Sequence, residues 1–280
     1  MYAIGPEHLR CLQTPGAVGG AHLVLREPLG WVAGSARGAV AVAAVRKLRP
    51  TKIRNAVRRR WFEWRLSRHV LPEVPGLANL GSRTGGWVVP VDLLGPGWTC
   101  YCFGAGGDVS FDRALMLSAS ATVRSFDPME RYVDLARDEV EPGLPFSTHL
   151  VALASVDGPI PMQLTHHPGS EAVSSDGLFE SRRYVTRPGR RLATLMAELG
   201  DERVDLLKVD IEGAEYRVLP ELDLAGAGVA IFSVQLHHNG GVRAARRVIG
   251  EVRDKGYELV ACRKAVKLTF VRRDLLGPRS

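Results

Sequence analysis

Two short segments constrain this chain more than any other feature. Tyr101–Asp112 reads YCFGAGGDVSFD and Leu206–Tyr216 reads LLKVDIEGAEY, about a hundred positions later. Each is a largely apolar run that stops abruptly in small and acidic residues where a helix should begin. That pattern describes a buried strand delivering a turn to the carboxyl edge of an open α/β sheet, the place where such sheets bind nucleotide-type ligands.

In the first segment the strand ends at Phe103 and the chain turns through Gly104, Ala105, Gly106 and Gly107 before reaching Asp108 and Asp112. Glycines there let a ligand touch the backbone, and the amides of the following helix offer donors and a positive dipole end. A dinucleotide fingerprint needs a third glycine at position 109, where Val109 stands. Asp108 and Asp112 would repel a pyrophosphate but suit a ligand carrying an amino group and a sulfonium. The charge pattern therefore favours S-adenosylmethionine over NAD. Fifteen residues past Asp112, the alternating run ATVRSFD ends in Asp127, followed by Pro128 and Met129. An acid at the tip of the second strand is placed to hold two ribose hydroxyls, and the same carboxylate before Pro128 can cap a helix; the two roles are compatible.

Gly104-AGGDVSFD, Phe126-DP, Leu207-KVDIEGAEY and Val234-QLHH together resemble the FkbM-type methyltransferase family, also described as methyltransferase domain 21, over residues 81 to 280. The resemblance implies an α/β class I methyltransferase fold, a Rossmann-like doubly wound sheet closed by a C-terminal antiparallel hairpin. It also implies S-adenosylmethionine as methyl donor and a hydroxyl on a sugar, lipid or polyketide-like molecule as acceptor. Cys102 and Gln235 stand where many members carry acids.

Methyl transfer to oxygen needs a positioned donor, an acceptor in line with it and a group to take the hydroxyl proton. Asp210 ends the fourth parallel strand, with Glu212 and Glu215 following; Asp210 is the best placed to border the methyl, while all three could instead cap the next helix. His237 and His238 end the next strand, and since neighbours on a strand point to opposite faces, at most one enters the pocket. An imidazole titrating near ~6.5 suits a general base. His166 and His167 add further candidate ligands, but no H-E-x-x-H spacing is present and no metal is expected.

The chain divides into a basic helical extension with a linker, residues 1–80, and a methyltransferase domain, 81–280. From Trp87 onward the rhythm predicts strands near 87–91, 98–103, 121–127, 149–155, 204–210, 229–236, 257–263 and 266–272. Helices are predicted at 110–118, 128–138, 189–199, 212–220 and 240–255, and upstream at 38–48 and 51–70. Ser155 and Asp157, at the tip of the third parallel strand, fall beside the adenine or form a simple Asp-Gly turn. The Pro-, Gly-, Ser- and His-rich stretch from Gly158 to Tyr184 exceeds the usual loop length of about 12 to 15 residues and reads as a substrate-side flap with room for a small hairpin inside. Cys11, Cys100, Cys102 and Cys262 form no C-x-x-C pair and read as reduced thiols; with no signal-peptide pattern, the expectation is a cytoplasmic protein.

Charge is strongly local. Ten Lys or Arg and one acid fall between Arg46 and Arg68, so the rest of a chain of net charge +7 is slightly acidic. Ile53, Val57, Trp61 and Trp64 share one side of a helical wheel there, with Leu66 facing away. Residues 46–68 thus suggest peripheral contact with anionic lipid, a contact surface for RNA or an acidic substrate, or a cap packed on the domain. The absence of an Asn-Pro-Pro-Tyr type turn, with DIEGAE in its place, argues against nucleic acid as the acceptor. A binding module that has kept the fold without catalysis is the alternative from outside the enzymes.

Overall fold

Alternation along the central strands sets the architecture. In β3 (Thr99–Phe103), Cys100 and Cys102 point to one face and Tyr101 and Phe103 to the other, and all four are buried. A strand apolar on both sides must be covered on both sides. The computed structural model describes residues 64–72, 74–165, 173–175, 183–237, 241–263 and 266–277. These lie in one compact unit, Arg49–Ser280.

β1 (Leu77–Leu80) and β2 (Trp87–Pro90) form an antiparallel hairpin. After β3 come α1 (Ser110–Ala119), β4 (Thr122–Asp127), α2 (Glu130–Glu139) and β5 (Phe146–Leu150), which together lay down three adjacent parallel strands. β6 (Ala152–Leu153), β7 (Gly158–Leu164), β8 (Val173–Ser174) and β9 (Tyr184–Arg190) make a separate four-stranded sheet in the order β6-β9-β7-β8. The chain then returns through α3 (Leu192–Leu199), β10 (Leu206–Val209), α4 (Glu215–Val218), β11 (Ile231–Gln235), α5 (Gly241–Asp254), β12 (Tyr257–Arg263) and β13 (Lys267–Arg272). The central sheet has seven strands in the order β12-β13-β11-β10-β3-β4-β5, with β13 antiparallel to both neighbours. It is a mixed α/β fold in which the order reverses between β10 and β3, and the last two strands are the antiparallel hairpin expected from the sequence.

Two cores sandwich this sheet. Tyr101, Phe103, Leu207 and Phe232 meet α3, α4 and the apolar face of α5, while Cys100, Cys102, Leu206 and Ile231 meet α1, α2 and the β1-β2 hairpin through Trp87 and Val89. Phe103 stacks on Phe126 with centroids 4.4 Å apart and Phe126 on His149 at 5.0 Å, locking β3, β4 and β5 together. Truncating either phenylalanine in such a core costs ~3–5 kcal/mol.

Three expectations are corrected. The third parallel strand is β5, residues 146–150, not 149–155: the apolar run LVALA drew the reading, but the chain leaves the sheet at Val151 and its next residues pair with β9. The boundary at residue 80 cuts the β1-β2 hairpin in two, although Leu66, Leu77 and Trp87 all pack on the cores. In the helical turn at 64–67, Leu66 is fully buried and Trp64 is half exposed, the reverse of the amphipathic assignment. The helix at 38–48 and residues 51–63 of the next lie outside the described residues; 68–70 are turn and bend, so the helix ends at 67.

Candidate active site

A cavity of about 390 Å³ opens at the carboxyl ends of β3, β4 and β10, within the range of small-molecule sites, ~300–1,000 Å³. Its floor is the glycine turn after β3. Gly104 has φ +80°, and a Cβ there would sit 2.0 Å from the Asp210 carbonyl oxygen, so this position accepts only glycine. Gly106 has φ +56° with nothing within 4 Å of its missing Cβ, leaving the backbone open to the cavity. The Gly106 amide donates to Asp127 Oδ2 at 3.1 Å and the Met129 amide to Asp127 Oδ1 at 2.8 Å. Asp127 thus ties the glycine turn to the start of α2. Each oxygen keeps acceptor capacity for a further donor; burial pushes this carboxyl up, against the hydrogen bonds from Gly106 and Met129. Asp108 accepts from Ser82 Oγ and Ser110 Oγ, both at 2.5 Å, and pins the residue 81–86 loop over the cavity. Burial would raise its carboxyl, but the hydrogen bonds from Ser110 and Ser82 prevail and lower it.

The turn after β10 is built differently. Glu212 stands at φ +52°, a left-handed backbone that is strained for a side chain of this kind. Glu215, fully buried, holds the loop: Oε1 accepts from the Ile211 amide and from His237 Nδ1, at 3.0 and 2.9 Å, and Oε2 accepts from the Gly213 amide at 3.0 Å. His237 Nε2 lies 3.2 Å from Glu212 Oε2 and 3.9 Å from Asp210 Oδ1. Burial alone would lower the imidazole; hydrogen bonds to Glu212 and Glu215 and the charges of Glu215 and Asp210 outweigh it and raise its pKa to about 10. Asp210 goes the other way. Burial raises its pKa to about 6 against the pull of Lys208 and His237, and its enclosed Oδ1 has no hydrogen-bond partner among the described residues.

The structure brings together most of the residues expected from the sequence. Phe103, Gly104, Ala105, Gly106, Gly107, Asp108, Asp127, Pro128, Met129, Asp210 and Glu212 all line the cavity. Four do not. Asp112 is buried behind the floor near Cys102 and Lys208, because it falls on the inward face of α1; burial raises its carboxyl while Lys208 pulls it down. Asp157 accepts from the Arg191 amide at 2.8 Å and from Thr194 Oγ1 at 2.9 Å and pairs with Arg191, so it is tied to the start of α3 and is not among the residues lining the cavity. Ser155 follows it out of the wall, since the strand that was to present both ends at Leu150. His237 is not among the lining residues; with its pKa raised to about 10 it is a donor at neutral pH. His238, His166 and His167 lie outside the described residues.

Sequence reasoning missed Lys208, Lys267 and Trp87. Lys208, buried on β10, donates to the Gly104 carbonyl and so ties the two turns together. Lys267 lies over the Trp87 ring, 4.5 Å from its centroid, and donates to the carbonyls of Thr84, Gly85 and Gly86. The lysine of the KVDIEGAE string was in plain view as a signal; nothing local marks Trp87 or Lys267 as pocket walls. Asp210, Glu215 and His237 offer ligand atoms within 4.8 Å of one another, a spacing a metal ion could use. Both Glu215 oxygens are already engaged by amides, and His237 would have to give up its proton to coordinate.

The family described as the methyltransferase FkbM domain matches residues 127–259, as the motifs led one to expect. No curated protein matches the chain. Among solved structures, a proposed methyltransferase from Thermoplasma acidophilum superimposes with a TM-score of 0.36 at 10% identity, covering 71% of this chain and 82% of that one. A proposed RNA methyltransferase from Pyrococcus horikoshii gives 0.35 at 13% identity, covering 77% and 98%. Neither likeness is close enough to bear on the reaction.

Proposed function

We propose that this chain, which carries a methyltransferase FkbM domain over residues 127–259, is an S-adenosylmethionine-dependent O-methyltransferase acting on a hydroxyl of a small-molecule, sugar or lipid-linked acceptor. The observation that carries the reading is Asp210: an acid with a pKa of about 6, lining the cavity, whose enclosed Oδ1 accepts no hydrogen bond among the described residues, with His237 Nε2 3.9 Å away. A carboxylate that titrates close to neutral pH is matched to accepting a proton from a hydroxyl. The strand order and the terminal antiparallel hairpin support the class I, Rossmann-like form of the fold.

The residues present fit the donor. Four acids and two lysines line the cavity, a balance that favours a ligand with cationic groups. Gly106 leaves room beside the backbone, and Asp127 keeps acceptor capacity toward hydroxyls. S-adenosylmethionine supplies an activated methyl on a sulfonium that brings its own leaving group. The glycine turn and Asp127 would hold it, and Lys208 fixes that turn against β10. Asp210 accepts the acceptor proton, and His237, clamped by Glu215, donates to Glu212 and sets its charge 3.9 Å from Asp210. Met162 and Val173 of the second sheet, with Ser175 just after β8, line the cavity on the side where the acceptor would enter.

Calorimetric titration with S-adenosylhomocysteine, followed by methyl transfer to a panel of hydroxylated acceptors, tests the reading. Micromolar binding with turnover supports it. Tighter binding of NAD would remove the donor assignment, and tight donor binding without turnover on any hydroxyl would leave a binding module.

A further inference from the structure

We propose that the outer face of α5 binds the phosphate headgroups of an anionic lipid surface. α5 buries Ala245, Val248, Ile249 and Val252 against the sheet and turns Arg243, Arg246, Arg247 and Arg253 outward. These arginines, spaced three, four and seven apart, share one helix face. With His69 they border a groove of about 400 Å³ in which no acid takes part. Arg243, Arg246 and Arg247 have no hydrogen-bond or ion-pair partner among the described residues. Arg253 shares Glu258 with Arg273.

Two further features point to an occupant. Gly250 lies within the continuous helix and lines the groove, although a Cβ there would meet nothing within 4 Å. Glycine is among the least favourable residues in a helix interior and packing does not ask for it here; its effect is to leave a notch between the guanidiniums. His69 borders the same groove, and its imidazole is lowered first by burial and then by the charges of Arg246 and Arg253. Guanidinium forks match phosphate oxygens in geometry and charge. Trp64, half exposed with Arg68 3.9 Å over its ring, lies five residues before His69 and adds the amphipathic aromatic that membrane interfaces favour. Single-stranded nucleic acid would call for stacking aromatics in the groove, and apart from His69 its lining has none. None of these residues lines the donor cavity, so the proposal does not depend on what that cavity binds.

The test is flotation of the full chain with vesicles of phosphatidylcholine alone and with added phosphatidylglycerol, at low and high salt. The expected result is binding only to the acidic vesicles, weakened by salt. The variant Arg243→Gln/Arg246→Gln/Arg247→Gln should lose it by on the order of 100-fold, as each basic residue near an anionic surface contributes comparably. Gly250→Glu, which fills the notch with a carboxylate on a helix-favouring residue, should also lose binding while circular dichroism and S-adenosylhomocysteine affinity stay unchanged. Undiminished flotation of both variants would overturn the proposal and leave residues 46–68 as the contact. Absence of binding at low salt, or displacement from vesicles by an RNA oligonucleotide or inorganic phosphate at lower concentration than the lipid, would overturn it as well.

Discussion

The turn after β3 and the turn after β10 look alike in sequence, each a strand ending in glycine and acids, yet they do opposite things. The first is left open: Gly106 faces empty space, and Asp127 reaches in from β4 to steady it. The second is closed on itself, with Glu215 spanning two amides and an imidazolium. An acid in a glycine-rich turn is therefore informative only once its partners are known. One turn leaves its backbone open to the cavity; the other commits Glu215 to its own amides and, with Glu212, to His237 beside Asp210.

Glu215→Gln attacks the closed turn directly. Breaking a buried ion pair by neutralising one partner costs ~3–5 kcal/mol, measurable as a lower urea midpoint. The same clamp has a pH signature. Folded His237 keeps its proton to about 10, whereas an ordinary imidazole releases it near 6.5. Its contribution to stability is therefore complete below pH 6.5 and lost as pH rises through 10. Wild-type stability should fall across that window and the variant's should fall less; equal slopes would contradict the clamp.

Gly104→Ala strikes the junction of the two turns, since the new Cβ must displace the Asp210 backbone. A shift of about an ångström there should cost on the order of 100-fold in turnover, and calorimetry should show weaker S-adenosylhomocysteine binding. Asp210→Asn separates chemistry from binding: turnover should drop ~100-fold or more with donor affinity retained. The rise of activity with pH through about 6, as Asp210 loses its proton, should disappear with it. Full wild-type activity in excess chelator would show that the Asp210, Glu215 and His237 cluster works without an ion.

Asp127→Ala opens the first turn further, and lost hydrogen bonds should weaken the donor by ~1–3 kcal/mol on calorimetry. The smallest effect is expected from Asp157→Ala. It is tied to the start of α3 and does not line the cavity, so donor affinity should not change; a measurable loss would return Asp157 to the site.

The parallel strands and their helices were legible because apolar runs bounded by glycine have few alternatives: the strand and helix positions around β3, β4, β10 and β11 fall within a few residues of their sequence assignments. The β6-β9-β7-β8 sheet was legible only as a small hairpin inside the flap, not as a four-stranded sheet. Pro159 and Pro161 in β7 and Pro188 in β9 mask the strand signal, and these strands owe their pairing to each other rather than to a buried alternation. Within the site, the glycine turn and Asp127 could be read from spacing. The states of His237 and Asp210 could not, because a pKa depends on which charges the fold gathers round a group, and Glu215 comes to His237 across 22 residues.

The β1-β2 hairpin carries a consequence for the order of assembly. Its loop forms one wall of the cavity, and it is held by Lys267 and Thr269 of β13, bonded to carbonyls some 181 to 183 positions earlier. β13 itself slots between β11 and β12. On a ribosome, the glycine turn and the strands around it emerge long before this wall can be fastened. Contacts of such long sequence separation are slow to form. Ligand binding to nascent or C-terminally shortened chains should therefore appear only once the strand beginning at Lys267 is in place, which makes the completed cavity a report on the finished sheet.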